Sequence, residues 1–305
     1  MDQIAIIVLN WKQPQLTTNT VDSLLKITKK KFSYHIFIID NKSPDNSFVL
    51  LEKEYKKNSH VSVLQTTENL GYVGGNNFGI EHALKQAYDY ILLINNDVLV
   101  DRNFLSDLYH ASTTKNFAIT GPKIYFAPGF EFHKNRYKKS ELGSVIWSAG
   151  GHMDWNNIIG SNIGIDSVDN NQYDSVLLNP DFLSGCCLLI NTTVFRKIGL
   201  LDPSYFMYLE DVDFCQRAKT HGFSIAYIPK ARIWHINAGS SSSGSSLHDY
   251  FLTRNRLIFA SRYANLRPKI AVFRESLKYL LSNNRNKRTA VIDYFTHNWG
   301  KGSWQ

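Results

Sequence analysis

Short apolar runs alternate with amphipathic stretches through the first hundred residues. Ile4 to Asn10 (IAIIVLN) is a continuous β-branched run, the pattern of a strand covered on both faces. QPQLTTNTVDSLLKI follows, with Val21, Leu24 and Leu25 at helical spacing after a proline start. HIFIIDN (His35 to Asn41), VSVLQT (Val61 to Thr66) and DYILLINND (Asp89 to Asp97) read as three further strands. Between the last two, NLGYVGGNNFGIEHALKQA reads as a glycine-rich turn feeding a helix. This alternation predicts an α/β fold, with a mostly parallel sheet and right-handed crossovers. Such sheets bind ligands beyond the carboxyl ends of their strands. Those ends are polar here: Asn10, Asp40 and Asn41, Thr66 to Asn69, and Asn95 to Asp97.

Residues 125–180 are irregular and aromatic, and predict long loops and short strands around a pocket. FLSGCCLLIN (Phe182 to Asn191) reads as a strand, and LEDVDFCQRAKTHG as a helix ending at Gly222. SIAYIP is a further strand, followed by ARIWHINAG. GSSSSGSS (Gly239 to Ser246) has the composition of a flexible linker. Two or three helices close the chain, among them KIAVFRESLKYLL. No internal repeat is present.

A hydrophobic fraction of 43% over 305 residues supplies a large core, in one domain or one and a half. Cys186, Cys187 and Cys215 show no CxxC or zinc spacing and read as reduced thiols in a reducing compartment. The opening MDQIAIIVLNWK lacks a basic leader, and no segment approaches the roughly 20 apolar residues of a membrane-spanning helix. These features predict a cytoplasmic protein, or one peripheral on the cytosolic face of the plasma membrane. The net charge of +8 is unevenly spread. Residues 262–305 hold nine Lys/Arg against Glu275 and Asp293, or +7, so the other 261 residues carry only +1. Confinement of the charge to the tail argues against a nucleic-acid partner, as do carboxylates at the expected site.

Four places carry candidate chemistry. Asp97 ends a strand, as Asp often does; its carboxylate can also take a divalent cation that bridges a diphosphate. Glu210, Asp211 and Asp213 suit the first turn of a helix by charge alone. The aromatic run Tyr205, Phe206 and Tyr208 before them would raise a carboxylate into the range of a general base. His235 after Trp234 is either a satisfied structural residue or a metal ligand that needs an oxygen partner such as Asp97. Arg254 stands one helical turn after Tyr250, for a salt bridge or a phosphate clamp.

Taken together and in order, IVLNW, IIDNKSPDNS, NLGYVGGNNFGI, LLINNDVLVDRNFL, GPKI, WSAGGHMD, the run from FLSGCC to SIAYIP, WHINAGSSS and YFLTRNRLIF resemble one family. The similarity is to the inverting family-2 glycosyltransferases of GT-A fold, in particular their bacterial rhamnosyltransferase-like branch. It covers most of Ile4 to Phe259. The resemblance implies a nucleotide-sugar donor held by Mn²⁺ or Mg²⁺. It implies base-contacting positions at Asn10, Asp40 and Asn41, and a nucleoside-side loop with Asn69, Gly75 and Asn76. It puts Asp97 on the metal, Asn96 near the ribose or sugar, and His235 as the second protein ligand. Asn95 stands where the fullest family pattern has a first Asp. Asp211, next to Glu210, corresponds to the general base, and Arg254 to an arginine that approaches the donor diphosphate. Trp147, Trp155 and Gly185 fall on the acceptor side.

The expected organisation is a catalytic domain over 1–261, with a nucleotide-sugar half at 1–124 and an acceptor and catalytic half at 125–261. A basic helical extension follows at 262–305. The expected reaction moves L-rhamnose from dTDP-rhamnose onto a lipid-linked or polysaccharide acceptor in surface-glycan synthesis. The rival within the class is a galactofuranosyl- or hexosyltransferase using a UDP-sugar. The rival outside it is a nucleotidylyltransferase, whose Gly-rich triphosphate loop after the first strand has no counterpart in LNWKQPQL. In the extension, Ile270, Phe273, Leu277 and Leu280 form a stripe with Lys269, Arg274 and Lys278 beside it. That pattern suits an anionic membrane surface, or packing on the catalytic domain or on a second subunit in a homodimer.

Overall fold

The computed structural model describes residues 1–28, 31–133, 135–236 and 245–304. The first half alternates β1 (Asp2–Asn10), α1 (Pro14–Leu24), β2 (Phe32–Asp40), α2 (Ser47–Tyr55), β3 (Val61–Gln65), α3 (Gly71–Lys85), β4 (Tyr90–Asn95), β5 (Val98–Val100), α4 (Phe104–Lys115) and β6 (Ile119–Phe126). The aromatic middle holds β7 (Val145–Ser148), β8 (Gly151–Asp154), β9 (Ile159–Asn162), β10 (Ser167–Val168) and β11 (Leu177–Leu178). Then come β12 (Cys187–Asn191), α5 (Thr192–Ile198), α6 (Glu210–Thr220), β13 (Ile225–His235), α7 (Ser246–Tyr263), α8 (Leu266–Leu280) and α9 (Arg285–Phe295).

The α/β architecture is the expected one. The main sheet runs β10-β7-β6-β12-β4-β1-β2-β3, with β13 on β6, β5 and β11. β1 pairs in parallel with β2 and with β4, and β2 in parallel with β3. β12 runs antiparallel between β4 and β6. Ile4 to Val8 are fully buried, which explains why β1 is continuously apolar: both faces are covered, one core lying on each side of the sheet. Each Ile and Val side chain among them contributes about 1.5–3 kcal/mol of burial. The register sets Asn10 beside Asp40 and Leu9 beside Asn95, so the polar strand ends share one edge of the sheet.

Four local expectations change. The glycine-rich segment is not a turn before a helix: α3 already begins at Gly71. Its glycines let the helix lie close on the sheet, for a Cβ on Gly79 would come within 2.8 Å of Ile7 Cγ2. The strand expected over Phe182 to Asn191 is ordered as a ladder only from Cys187, because residues 183–186 turn across the carboxyl end of β4. SIAYIP and RIWH are one strand, β13, in which the register shifts between Ile228 and Arg232. α6 stops at Thr220, two residues before Gly222. Of the expected linker at 239–246, residues 239–244 lie outside the described ones. α7 runs through the expected boundary at 261, and α8 and α9 pack back against it.

Alanine gains about 1 kcal/mol over glycine in helix propensity, yet the Gly79 site has no room, and overpacking costs about 1–3 kcal/mol. We expect Gly79→Ala to lower stability by about 1 kcal/mol, read from the midpoint of denaturant unfolding at unchanged slope. A midpoint at or above that of the native sequence would mean that Ile7 yields freely.

Candidate active site

The polar strand ends form one hydrogen-bonded chain. Asn96 donates through Nδ2 to Thr17 Oγ1 (3.0 Å), and Thr17 donates to Asn10 Oδ1 (2.7 Å). Asn10 donates to Asp40 Oδ2 (2.8 Å), which also accepts from Ser43 Oγ. Asp40 Oδ1 accepts from the Ser43 amide and from Gln65 Nε2. Asn10 and Asp40 are therefore fully buried, with every Asp40 acceptor directed at the protein. Asn41 continues the line, donating to Asn69 Oδ1 and Gly71 O while accepting from the Leu70 amide. These bonds fix the turn between β3 and α3. Gly75 and Asn76 do not line that turn. Both lie inside α3, where a Cβ on Gly75 would overlap Leu9 and Asn76 donates to Tyr72 O.

β5 brings the next pair together. It pairs with β13 so that His235 faces Val98, directly after Asp97. His235 Nε2 lies 3.2 Å from Asp97 Oδ1. Asp97 Oδ1 is nevertheless buried with no hydrogen-bond partner among the described residues, as is Asn95 Oδ1. Trp147 packs edge-on against the His235 ring at 4.8 Å. Thr20 secures the turn from below, donating to Asn96 O (2.7 Å) and accepting from the Val98 amide (3.0 Å). No cluster of three or more His, Cys, Asp or Glu capable of holding a metal occurs among the described residues. Asp97 and His235 alone would leave most positions of a divalent ion to other oxygens. Their spacing suits adjacent ligands, which stand about 3 Å apart on an octahedral ion with bonds of about 2.1 Å. The residues fit a divalent cation that arrives with an anionic ligand.

An acidic pair, Glu210 and Asp211, lies on the other side of the Gly185–Cys186 peptide. The Asn95 amide donates to Cys186 O (3.0 Å), and the Gly185 amide donates to Asp211 Oδ2 (2.8 Å). Asp211 Oδ1 accepts from the Val212 amide (2.8 Å). Tyr72 donates to Gly185 O (2.8 Å), and its phenol is pushed up by burial and then by Glu210 and Asp211, so it stays a neutral donor. Burial raises both carboxyls. For Glu210 the neighbouring Asp211 raises it further, and Oε2 has no partner among the described residues; for Asp211 the Gly185 and Val212 amides act against the rise. Asp211 is thus the member of the pair that ionises first, and Glu210 holds a proton beyond the usual carboxylate range. Glu210 is 6% exposed, whereas Asp211 is part-buried. Asp213, the third acid of the motif, is structural: it accepts from Arg217, Arg262 and Tyr263.

Two expected residues stand apart from both pairs. Trp155 packs towards Phe259 of α7, 6.1 Å between ring centroids. Arg254 is fully buried and donates from Nη2 to Ser204 O and Tyr205 O, with Gly302 packed over its Nη1. Its Nη1 is buried with no hydrogen-bond partner among the described residues. Thr17, Thr20, Tyr72 and Asn255 were not singled out by the sequence. Only the Thr17/Thr20 pair left a trace there, as two hydroxyls one turn apart on the sheet side of α1.

The family model for glycosyl transferase family 2 matches residues 4–199. The chain belongs to that family. Glu210, Asp211, His235 and Arg254 lie beyond the matched stretch, so their placement comes from the fold described above. The family-2 chain is 23% identical over 261 residues to the low-salt glycan biosynthesis hexosyltransferase Agl10 of Haloferax volcanii, covering 85% of this chain and 75% of that protein. It is 23% identical over 218 residues to the rhamnosyltransferase WbbL of Escherichia coli K12, covering 66% of this chain and 72% of WbbL. A shorter match, 39% over 67 residues and 22% of each chain, is to the N-acetylglucosaminyl-diphospho-decaprenol L-rhamnosyltransferase of Mycobacterium tuberculosis. Among solved structures, GalNAc-T7 with UDP, GalNAc and Mn²⁺ superposes with a TM-score of 0.62 at 17% identity. That match covers 97% of this chain and 58% of the other, and shows a shared GT-A fold.

The buried acidic pair of this glycosyltransferase has a consequence for stability. A carboxyl whose folded-state pKa is raised binds its proton more tightly folded than unfolded, so stability falls as pH rises from the ordinary glutamate value towards the raised one. Glu210→Gln mimics the protonated form and removes that penalty. We expect its melting temperature to match the native one in mild acid and to exceed it at neutral pH. A native-minus-variant difference that does not change with pH would contradict the raised Glu210.

Proposed function

We propose that this glycosyltransferase moves L-rhamnose from dTDP-rhamnose to a lipid-linked or polysaccharide acceptor, with inversion at the anomeric carbon. The observation that carries the reading is the opposition of two pairs, Asp97 with His235 and Glu210 with Asp211, across the Gly185–Cys186 peptide. Asp97 and His235 would hold Mn²⁺ or Mg²⁺. When bound, the cation supplies charge that stabilises the departing diphosphate. Asn96 stands beside Asp97 for the ribose or sugar, and the Asn10–Asp40–Asn41 chain shapes the nucleoside end.

Asp211 is the general base. Its carboxylate takes the proton of the acceptor hydroxyl as that oxygen bonds to the anomeric carbon. The bond from that carbon to the diphosphate oxygen breaks, and its electron pair leaves with the nucleoside diphosphate. One base on one face suffices for a single displacement, and such a base contributes roughly 10²–10⁴-fold. Glu210, held protonated, keeps a second negative charge away from the incoming hydroxyl. The rhamnosyltransferase relatives favour rhamnose. A hexose from a UDP-sugar is the second reading, favoured by the longer match to Agl10.

The acceptor side includes a membrane. On α8 and its C-cap, Leu266, Ile270, Leu277 and Leu281 are 74%, 56%, 51% and 93% exposed along one face, whereas Phe273 and Leu280 of the expected stripe pack against the core. Phe295 of α9, half exposed, joins them through its ring contact with Phe273. Arg267, Arg274 and Lys278 flank that stripe and enter no ion pair among the described residues. An anionic bilayer complements both features, at about 1 kcal/mol per basic residue near the surface. Among the described residues no helix is long and apolar enough to cross a membrane, so the contact is peripheral, and we place it on the cytoplasmic face.

Nucleoside diphosphate release across a panel of nucleotide sugars tests the donor, with dTDP-rhamnose expected to be turned over fastest. Asp211→Asn should lower turnover by about 10²–10⁴-fold at unchanged Mn²⁺ affinity, whereas Asp97→Ala should abolish the Mn²⁺ binding seen calorimetrically with dTDP present. Full activity in excess EDTA, or a retained anomeric configuration in the product, would reject the mechanism. For the membrane, the native chain should float with anionic vesicles at low salt and be released at high salt. The variant carrying Ile270→Glu and Leu277→Glu should stay with the unbound fraction. If that variant instead splits a dimer and vesicle binding is absent, the stripe belongs to a second copy of the chain.

A further inference from the structure

The turn that leads into α6 is held in an unfavourable backbone conformation. Phe206, Tyr208 and Leu209 have φ of 63°, 67° and 68°, in the left-handed region that side chains with a Cβ disfavour. The Met207 amide donates to Tyr205 O (2.7 Å), closing a γ-turn about Phe206 of the strained kind. Residues in such conformations persist only where their surroundings over-determine them. The next two residues are Glu210 and Asp211.

What holds the turn is two adjacent buried side chains of α7. Asn255 Nδ2 lies 2.9 Å from Tyr205 O, 2.7 Å from Met207 O and 2.9 Å from Tyr208 O, so its two protons are shared among three carbonyls. Its Oδ1 accepts from Arg254 Nε (3.1 Å) and Nη2 (3.0 Å). That acceptance settles which end of the amide faces which group, because the guanidinium has only donors to offer. Arg254 Nη2 also donates to Ser204 O and Tyr205 O. Both residues are fully buried. From the other side, the Gly300 amide donates to Ser204 O and the Val73 amide to Phe206 O. The Phe206 ring stacks on Phe251 and lies where a Cβ on Gly71 would be, at 2.6 Å. The turn is therefore gripped by α7, by the chain after α9 and by the start of α3.

We infer that Asn255, oriented by Arg254, is a positioning residue: it holds residues 204–209 in the conformation that sets Asp211 against the Gly185 amide, and it touches no reacting atom. The inference rests on Asp211 acting as the base, as proposed above. It gives Arg254, for which the resemblance implies a phosphate clamp, a grip on backbone carbonyls through Nη2. A group that acts only by aiming another should lower kcat and leave ligand binding alone, and its effect should vanish once the group it aims is gone.

The test is a double-mutant cycle on the full chain. Asn255→Ala should lower kcat by about 10²-fold, the scale of loss from a misplaced reacting group, while the Kd for dTDP with Mn²⁺ stays within about twofold of the native value. Placed on Asp211→Asn, it should change the residual rate by less than about threefold. A kcat near native, or the full loss repeated on the Asp211→Asn background, overturns the inference. If Asn255→Ala does not fold, Asn255→Ser, which keeps a short donor, is judged by the same ratios. Loss of the fold by both marks the pair as purely structural and also overturns it. Native turnover in Asp211→Asn itself rejects the base assignment instead, and the positioning role is then decided by the kcat and Kd of Asn255→Ala alone.

Discussion

The register of β1 between β2 and β4 is the constraint on which the site depends. Asn10 aligns with Asp40, and Leu9 with Asn95, so polar groups from three strands meet at one sheet edge. A slip of one residue would reverse every side chain between the two cores, and continuous burial of Ile4 to Val8 forbids it. Once those groups are assembled and buried they must bond to one another. The chain from Asn96 through Thr17, Asn10 and Asp40 is that requirement met. Asp97 Oδ1 and Asn95 Oδ1, at its end, are left over. Unsatisfied acceptors next to a saturated network are where an outside ligand is worth most.

Strands and their polar ends were legible in the sequence because each is a local pattern of a few residues. The Asp97–His235 approach was open as one alternative in the residues and was specified by the resemblance, since 138 positions separate the two and β13 supplies the contact by pairing with β5. Asn255 left no signal at all. Its three carbonyl partners lie 47 to 50 residues away, and an asparagine in a helix reads as a mildly unfavourable helix former. Arg254 was visible as a charged residue on a helix. Two of its partners are main-chain carbonyls, which carry no side-chain identity that a sequence could display.

Glycine was misread for a related reason. In a strand-helix alternation, a run such as GYVGGNNFG looks like a loop, because glycine costs a helix about 1 kcal/mol per residue. Here Gly75 and Gly79 sit against Leu9, Ile7 and Ile39, and the lost propensity is offset by close approach of α3 to the sheet. That approach also sets the height of Tyr72, whose hydroxyl reaches Gly185 O beside Asp211. A helix lifted by a methyl group at either glycine would carry Tyr72 away from the peptide between the Asp97–His235 and Glu210–Asp211 pairs.

The basic tail is not independent of the catalytic half. Its two acids point inward: Glu275 to Arg256 and Tyr279, and Asp293 to Tyr250, Asn298 and Ser303. Arg262 pairs with Asp202 and Asp213, and Lys287 with Asp249. The tail's seven other cations, Arg267, Arg274 and Lys278 among them, enter no ion pair among the described residues. The same folding-back brings Gly300 onto Ser204 and packs Gly302 over Arg254. The inner face of the tail thus completes the grip on the turn before Asp211, and its outer face carries the positive charge. Removing the tail would not isolate a catalytic domain: it would uncover Arg254, free the Asp293 partner Tyr250, and take one of the hands off the strained turn.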